Sequence, residues 1–316
     1  MHKKILVSGS LAYDHIMIHD GEFHEIILPE HVHHLNVCFI IKDKSLHFGG
    51  TGGNIAYNLR LLGENIILLG LAGKDFQEYK HWLEKFGVDT SQIKIEQNIY
   101  TASAFITSDR KGNQITNFYP GAMDSNHCFN LEPLAKDIAI AIISPDNIHR
   151  MLNMCLQCKK LTIPYLFDPG QQLPNFTPHQ LLECIDKAEG VILNEYELEL
   201  LLNKTNLTKK DLCERIHLLI ITRGEKGSTI EEGEKKEEIG ISETKKIIDP
   251  TGCGDAYRAG ILKGLKKRYS RKTMGQMAAL MGTYSVEKKG TQNHFFTRDE
   301  FEKRYKKSFK TETPTW

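Results

Sequence analysis

Short apolar runs alternate along most of the chain with segments whose apolar residues recur every three or four positions. The runs predict buried strands, and the three-to-four spacing predicts amphipathic helices between them. The predicted buried strands cover residues 4–8, 66–69, 138–144, 165–168, 190–194 and 218–222. Alternation of this kind is typical of a mostly parallel sheet with helices on both faces. We therefore predict an α/β fold.

Two stretches depart from this alternation. Residues 15–48 contain short alternating runs without a helical pattern. Residues 98–121 contain two alternating segments around the polar residues 109–113, whose composition predicts a hairpin turn. We expect both stretches to form a small β-sheet lid over a site in the larger sheet. No repeat or low-complexity linker divides the chain, so residues 1–316 are predicted to form one domain.

The last third of the chain carries further predicted elements. Ile247 and Ile248 are β-branched and are predicted to end another buried strand. Residues 231–238 are a charge run that predicts an exposed hairpin turn. Residues 273–286 and 297–309 have the apolar spacing of helices.

Residues 249–255, Asp-Pro-Thr-Gly-Cys-Gly-Asp, have the most informative local chemistry. Gly252 and Gly254 allow a tight turn with only backbone N–H groups facing inward. A helical pattern follows, and N–H groups at a helix start bind anions. Asp255 would repel a resting phosphate unless it has another purpose, such as taking a proton from an attacking hydroxyl. The alternative is a simple tight connection in which Asp255 caps the helix.

Other polar residues follow predicted strands at the sheet edge where open α/β folds bind ligands. Ser10 and Asp14 come after the first strand, although Asp14 could merely cap a turn. Residues 48–54 hold four glycines that permit close backbone approach at a helix start, or simply close packing. Asn194 and Glu197 lie on one side of a helix start and suit the waters around Mg²⁺, but they fit a capping box equally well.

Composition narrows the classes of function. The chain has 316 residues, 26% of them charged, and a formal net charge of +1. A near-neutral charge argues against nucleic acid or an anionic membrane surface as the main partner. No apolar run reaches the ~18 residues of a membrane span. Seven cysteines, an odd number, suit a reducing compartment, and we expect a cytoplasmic protein.

Two groups of metal-binding residue types are interpreted as structural. Cys155 and Cys158 form a C-x-x-C on one face of a predicted helix, without a second pair at zinc-site spacing. We expect both thiols to pack in the core. His31, His33 and His34 have no acidic or cysteine neighbours, which favours a loop.

Several motifs occur together in one order and resemble the ribokinase-like (PfkB) family of sugar and nucleoside kinases along nearly the full chain. They are Gly49-Gly50 with Asn54, Asn194 with Glu197, Thr222 with Gly224 and Gly227, and Asp249-Pro-Thr-Gly-Cys-Gly-Asp255. Within this family, the bacterial adenosine kinases are similar at residues 9–17, 28–31, 118–123, 168–172, 255–260 and 290–292.

The resemblance implies a ribokinase-like fold and a reaction. The expected reaction is transfer of the ATP γ-phosphate to the ribose 5′-hydroxyl of adenosine, which gives AMP. Mg²⁺ is the expected cofactor, and K⁺ occurs in many relatives. The alternatives are a sugar kinase of the same family, acting on ribose or fructose, and a nucleotide-binding regulator without turnover. The exposed face of the lid favours pairing with a second subunit, so we expect a homodimer.

The resemblance also implies roles for individual residues. Asp255 would take the proton of the 5′-hydroxyl, and backbone N–H groups of Gly252, Cys253 and Gly254 would bind the transferring phosphoryl group. Asp14 would accept hydrogen bonds from the ribose 2′- and 3′-hydroxyls. The nucleoside site would comprise Ser10, Asp14, Gly49, Gly50, Asn54, Phe118, Gln171 and Gln172. The ATP site would comprise Asn194, Thr222, Gly224 and Gly227. Mg²⁺ would be held through water by Asn194 and Glu197, and K⁺ would lie beside Asp249 and Thr251.

Overall fold

The computed structural model describes residues 3–28 and 33–314. Its strands are β1 (Lys4–Ser8), β2 (Ala12–His19), β3 (Ile41–Gly49), β4 (Ile66–Gly73), β5 (Ile93–Glu96), β6 (Ala102–Ser108), β7 (Gln114–Tyr119), β8 (Ile138–Ile143), β9 (Tyr165–Phe167), β10 (Gly190–Asn194), β11 (Leu218–Thr222), β12 (Ser228–Glu232) and β13 (Lys235–Ile239). Its helices are α1 (Thr51–Leu61), α2 (Gln77–Lys85), α3 (Ile148–Lys160), α4 (Pro178–Ile185), α5 (Glu195–Thr205), α6 (Lys209–Arg215), α7 (Cys253–Lys267), α8 (Arg271–Val286) and α9 (Arg298–Phe309). Within the described ranges, none of the helices has the length and apolar character needed to cross a membrane.

Nine strands of the described residues form the main sheet, in the order β13-β12-β11-β10-β9-β8-β1-β4-β5. The pairs from β11 to β5 are parallel, whereas β12 pairs antiparallel with both of its neighbours. Side chains alternate between the two faces. Ile5 and Val7 of β1 belong to the core that includes α1, α7 and α8, and Leu6 belongs to the core that includes α3 and α4. The predicted mostly parallel sheet with helices on both faces is confirmed.

A second sheet, with four strands in the described part of the chain, has the order β3-β2-β6-β7. The predicted hairpin joins β6 to β7. Its turn is held by Asp109, whose Oδ1 accepts the backbone N–H groups of Lys111 and Asn113 at 2.9 and 2.8 Å. The predicted small sheet outside the main one is therefore present, built from both of the stretches that lacked helical spacing.

The strand register of this smaller sheet decides which side chains share a face. Asp14 pairs with Ala104, and Ala104 pairs with Phe118. These three residues lie on one face, because residues opposite each other across strands point the same way. His15 and Phe105 lie on the other face, where their rings stack with centroids 4.6 Å apart.

The predicted strand at Ile247 and Ile248 is wrong. These residues are 54% and 49% exposed, and the described residues 240–250 contain no strand. The β12–β13 hairpin already forms this edge of the main sheet. The backbone N–H groups of Ile248 and Asp249 bond instead to the carbonyl of Val286, at the end of α8.

Three of the predicted strands end at other residues in the structure. Strand β4 extends to Gly73, four residues beyond its predicted end, and Ser144 and Asp168 lie just past β8 and β9. Cys155 and Cys158 are buried on α3, as expected. His33 and His34 are exposed, whereas His31, and with it most of the predicted segment 28–31, lies outside the described residues.

The contact between α7 and α8 generates a test of the packing beneath α7. A Cβ added to Gly260 would lie 2.4 Å from the Cα of Ala278, so Gly260→Ala would force the two helices apart. We expect the clash to outweigh the ~1 kcal/mol gain in helix propensity and to lower the free energy of unfolding by about 1–3 kcal/mol in denaturant titrations. Gly240→Ala is the control, since its added Cβ meets nothing within 4 Å. Equal stability of the two variants would contradict this packing.

Candidate active site

A cavity of about 690 Å³ opens at the carboxyl ends of β1, β9, β10 and β11, and the smaller sheet forms another of its walls. Its volume is typical of small-molecule sites. Of the residues predicted for the site, those that line the cavity are Ser10, Asp14, Gly50, Asn54, Phe118, Gln171, Gln172, Asn194, Glu197, Thr222, Thr251, Gly252, Gly254 and Asp255. Those that are not among its lining residues are Gly49, Cys253, Gly224, Gly227 and Asp249.

Helix α7 begins at this cavity. Its N-cap is Gly252, in the left-handed region with φ of +78°, and no side chain caps the helix. Gly252 also packs against Thr291, so closely that a Cβ added to Gly252 would lie 2.8 Å from the Thr291 Cβ. The N-terminal N–H groups of a helix carry partial positive charge and attract anions. Asp255 is therefore not the helix cap. Of the three predicted backbone donors, the Cys253 N–H already donates to the Pro250 carbonyl at 3.2 Å, which leaves the N–H groups of Gly252 and Gly254 for a ligand.

The carboxylate of Asp255 is held by Asn54 from α1. Asn54 Nδ2 donates to Asp255 Oδ2 at 2.8 Å. The Asn54 Oδ1 accepts from Thr291 Oγ1 at 2.7 Å and from Gln292 Nε2 at 2.9 Å. Thr291 Oγ1 also donates to the Phe48 carbonyl at 2.8 Å, so its one proton is shared. Because the Gln292 amide donates to the Asn54 carbonyl oxygen, the Asn54 amide nitrogen faces Asp255. No described residue donates to Asp255 Oδ1, so this oxygen can accept a proton from a ligand.

Two carboxyl groups in the cavity have pKa values raised above their usual range. Burial raises the pKa of Asp255 to about 6, against the opposing effects of Arg258 and the Asn54 hydrogen bond. Burial, and then the negative charges of Asp255 and Asp249, raise the pKa of Asp14 to about 6. A carboxylate with a pKa near 6 is ionised at neutral pH and is a better general base than an ordinary aspartate.

The surroundings of Asp14 explain the glycines nearby. A Cβ on Gly49 would lie 2.4 Å from Asp14 Oδ2, so Gly49 packs directly against the carboxylate although it is not a cavity-lining residue. Gly50 has φ of +81°, and a Cβ there would lie 2.5 Å from the Ser10 carbonyl oxygen. Ser10 Oγ accepts the Thr51 N–H at 3.1 Å, at the start of α1. These contacts place Asp14 and the amino end of α1 side by side.

Asn194 and Glu197 form the capping box that the sequence allowed, whereas their magnesium role stays a prediction. Asn194 N–H donates to Glu197 Oε2, and Glu197 N–H donates to Asn194 Oδ1, each at 2.8 Å, which is a capping box. Both residues also line the cavity. Burial raises the pKa of Glu197, and Asp168 adds to the shift.

The donor set suits a hydrated divalent cation better than a site built from protein ligands alone. Among the described residues, no three His, Cys, Asp or Glu side chains converge to hold a metal. Mg²⁺ keeps several waters and needs only one or two carboxylates together with substrate phosphates. Glu197 keeps Oε1 outside its capping bond, so Asn194 and Glu197 fit a Mg²⁺ held through water.

Three residues predicted for the site have local roles outside the lining of the cavity. A Cβ on Gly227 would lie 2.0 Å from the Ile239 carbonyl oxygen, so Gly227 allows the close approach of β13. Gly224 has φ of +55° and open space around it. Cys253 Sγ donates to the Gly282 carbonyl on α8 at 3.5 Å. The Cys253 thiol therefore contacts α8, while its backbone forms the first residue of α7.

Asp249 supports the turn. Its Oδ1 accepts the Thr251 N–H and its Oδ2 accepts the Gly290 N–H, both at 2.9 Å. Burial opposes the charge of Asp249, but these hydrogen bonds outweigh burial and lower its pKa. Asp249 thus remains an anion between two loops.

Phe118, Gln171 and Gln172 form a less enclosed part of the cavity. Phe118 is 52% exposed, so its aromatic ring is not part of the hydrophobic core. Gln172 Oε1 accepts from Asn175 Nδ2 at 3.0 Å, whereas Gln171 is exposed. This region offers an aromatic face and amide groups to a planar ligand.

Sequence reasoning assigned no role to Asp168 and Arg258, which the structure joins in the cavity wall. Arg258 Nε and Nη2 donate to Asp168 Oδ2 and Oδ1 at 2.5 and 2.6 Å. The signal available was the position of Arg258 three residues after Asp255, which places both on one helix face. Thr291 and Gln292 were noted only as part of a similar segment, and the structure shows that they orient Asn54.

Comparison with known proteins gives consistent matches over nearly the whole chain. Residues 3–298 match the model of the pfkB family carbohydrate kinases. A nucleoside kinase of Methanocaldococcus jannaschii is 33% identical over 96% of this chain and 97% of its own. The structure of Burkholderia thailandensis nucleoside kinase in complex with inosine has a TM-score of 0.88 at 37% identity, over 98% of this chain and 100% of that one. The M. jannaschii nucleoside kinase structure, described as an archaeal member of the ribokinase family, has a TM-score of 0.86 at 31% identity, over 97% of this chain and 100% of that one.

The Asn54 hydrogen bond gives a direct test of the site's electrostatics. Asp255 is protonated below a pKa of about 6 and ionised above it. The hydrogen bond stabilises the ionised form, so Asn54→Ala should raise the pKa of Asp255 further. NMR titration of ¹³C-labelled aspartate carboxyl groups measures the shift, with Asp109 in the small-sheet turn as internal reference. An unchanged or lowered pKa would contradict the assigned contact.

Proposed function

This chain belongs to the pfkB family of carbohydrate kinases, and from this premise we propose that it is an ATP-dependent adenosine kinase. Its fold is ribokinase-like, as the sequence predicted. The proposed reaction transfers the γ-phosphoryl group of ATP to the ribose 5′-hydroxyl and yields AMP and ADP. The observation that carries the proposal is the position of the Asp255 carboxylate. Asn54 holds it in the first turn of α7, where it lines a cavity large enough for a nucleoside.

The proposed step is an in-line displacement. Asp255 Oδ1 accepts the proton of the 5′-hydroxyl, the oxygen–phosphorus bond forms, and the bond between the γ-phosphorus and the β–γ bridging oxygen breaks. The electron pair of that bond leaves with ADP. The backbone N–H groups of Gly252 and Gly254 stabilise the charge on the transferring group, and that of Cys253 joins them by leaving the Pro250 carbonyl. The raised pKa of Asp255 suits it to this role, because a base works best when its pKa is close to the working pH.

The preference for a nucleoside rests on the wall opposite α7. Asp14 presents a carboxylate that can accept two hydrogen bonds from adjacent ribose hydroxyls, and Asn54 lines the same cavity. Phe118 lies on the same sheet face as Asp14, where it can stack on a purine. Gln171 and Gln172 can hydrogen-bond to the base edge. The B. thailandensis relative has been solved with inosine and with ADP-inosine, which supports a purine nucleoside as the acceptor here.

The proposal includes sites for ATP, Mg²⁺ and K⁺. Asn194 and Glu197 would hold Mg²⁺ through water, and the ion would supply positive charge to the phosphates of ATP. Thr222, together with the turn at Gly224 and Gly227, borders the nucleotide. A K⁺ ion beside Asp249 and Thr251 would steady the turn before α7.

We propose that the enzyme is cytoplasmic and forms a homodimer. The outer face of the smaller sheet supports the dimer. Leu46, His15 and Phe105 pair across β3, β2 and β6 on the face opposite Asp14. Leu46 and Phe105 are 46% and 37% exposed, and exposed apolar patches of this kind mark association surfaces. The small sheet would then act as a lid on each subunit and exclude water from the reaction.

A substrate panel tests the proposed acceptor. Adenosine, inosine, cytidine, ribose and fructose are each mixed with MgATP, and ADP release is followed. We expect the highest kcat/KM with adenosine, because its ribose and purine fill the Asp14 and Phe118 regions together. A preference for free ribose or fructose would reject the nucleoside in favour of a sugar kinase. Binding of nucleotide without turnover of any acceptor would indicate a regulator instead.

Two substitutions distinguish the catalytic role proposed for Asp255 from the binding role proposed for Asp14. Asp255→Asn keeps the size of the side chain but removes the base, so kcat should fall by about 10²–10⁴-fold while the Kd of adenosine changes little. Asp14→Asn should instead weaken nucleoside binding, because the proposed ribose contacts depend on its charge. Steady-state kinetics and calorimetry measure both, with the exposed Asp299→Asn as control. Near-normal turnover of Asp255→Asn would remove Asp255 from the base role.

A further inference from the structure

Arg258 is the positively charged side chain in the cavity wall. Of the described residues that line the cavity, four are acidic, namely Asp14, Asp168, Glu197 and Asp255, and Arg258 alone is Lys or Arg. Its side chain is 13% exposed, and its partner Asp168 is fully buried. Burial opposes the charge of Arg258, but Asp168 and then Asp255 and Glu197 raise its pKa above the usual value. The guanidinium therefore stays charged inside the cavity.

The orientation of Arg258 leaves one end of its guanidinium directed at the start of α7. Nε and Nη2 are used by the two oxygens of Asp168. No described residue accepts a hydrogen bond from Nη1. A Cβ placed on Gly254 would lie 2.6 Å from Nη1, and the next nearest atom is the Arg258 Cζ at 3.9 Å. The guanidinium thus folds back over Gly254, as side chains on helices lean toward the N-terminus.

This position explains why residue 254 is glycine. Its backbone is helical and φ is not positive, so conformation alone does not require glycine there. A methyl group at residue 254 would displace Nη1 from the turn. The missing side chain therefore keeps the backbone N–H groups and the guanidinium on the same small region of the cavity.

We propose that Arg258 is a further catalytic residue, whose Nη1 donates hydrogen bonds to a non-bridging oxygen of the phosphoryl group in transfer. The inference rests on the proposed kinase function. As Asp255 takes the hydroxyl proton and the phosphorus–oxygen bond to ADP breaks, negative charge is spread over the non-bridging oxygens, which Nη1 stabilises. Asp168 is a positioning residue, because its two oxygens fix the guanidinium plane. A lysine could not replace Arg258 in this role, since one ammonium group cannot bind both Asp168 oxygens and still reach Gly254.

The test compares Arg258→Lys and Arg258→Ala with the wild type in kcat, in KM for the acceptor, and in the affinity of fluoroaluminate for the complex with ADP and acceptor. Fluoroaluminate mimics the phosphoryl group in transfer. We expect kcat to fall about 10²–10³-fold in both variants and fluoroaluminate affinity to fall in parallel. The affinities for ADP and for the acceptor should stay within about threefold of wild type, because the contact forms mainly in the transition state.

Arg304→Lys is the matched control. Arg304 also forms a bidentate ion pair, donating to the two carboxylate oxygens of Glu287 at 2.6 and 2.8 Å. The Arg304 side chain is 15% exposed. Neither residue is among those that line the cavity. The Arg304→Lys substitution should leave kcat and fluoroaluminate affinity unchanged. The proposal is overturned if kcat of Arg258→Lys stays within about threefold of wild type. It is also overturned if fluoroaluminate affinity is retained, or if acceptor and ADP binding fall together with kcat, which would indicate a purely structural pair.

The outcomes for Arg258 and for the proposed acceptor are distinguishable. The measurements use whichever alcohol the wild-type chain phosphorylates best. If that alcohol is a free sugar, the nucleoside assignment fails, and the Arg258 comparison is completed with the sugar. If Arg258→Ala does not fold, Arg258→Lys decides the matter, and loss of folding in both variants counts against a catalytic role. Absence of phosphoryl transfer to every acceptor overturns both.

Discussion

The hydrogen bond between Asn54 and Asp255 joins the starts of two helices, and the geometry of the cavity depends on it. Helices α1 and α7 both begin after a glycine with positive φ, Gly50 and Gly252. The Asn54 amide fixes the distance between these helix starts, and its own orientation is set by Thr291 and Gln292. Gln292 is held in turn by hydrogen bonds to Tyr79 and Trp82. The carboxylate is therefore supported through the loop between α8 and α9, which packed aromatic residues hold in place.

The same arrangement concentrates negative charge in a partly buried space. Burial raises the pKa of both Asp14 and Asp255 to about 6, which shows that the protein does not stabilise their ionised forms fully. Sites of this kind lower the stability of the fold in exchange for chemistry. Arg258 and the N–H groups at the start of α7 offset the charge locally. A hydrated divalent cation at Asn194 and Glu197 would balance the remainder when nucleotide is present.

Local sequence predicted the parts of the structure that local physics determines. The glycine-rich turn before α7 and the hairpin at Asp109 depend on residues within a few positions, and both were found. Ile247 and Ile248 were misassigned because β-branched residues favour strands only where a sheet edge is open, and here β13 already occupies that edge. The pair of Asp168 and Arg258 is separated by 90 residues, so neither residue's role can be read from its neighbours. Asn194 and Glu197 show that a capping box and a cavity wall can be the same pair of residues.

A crystal structure with adenosine, ADP and fluoroaluminate tests the central claim most directly. The account predicts that the ribose 5′-oxygen lies within hydrogen-bond distance of Asp255 Oδ1, with Oδ2 still bonded to Asn54 and the fluoroaluminate against the N–H groups of residues 252–254. A 5′-oxygen bound elsewhere, with the Asp255 carboxylate turned away from the acceptor, would contradict it.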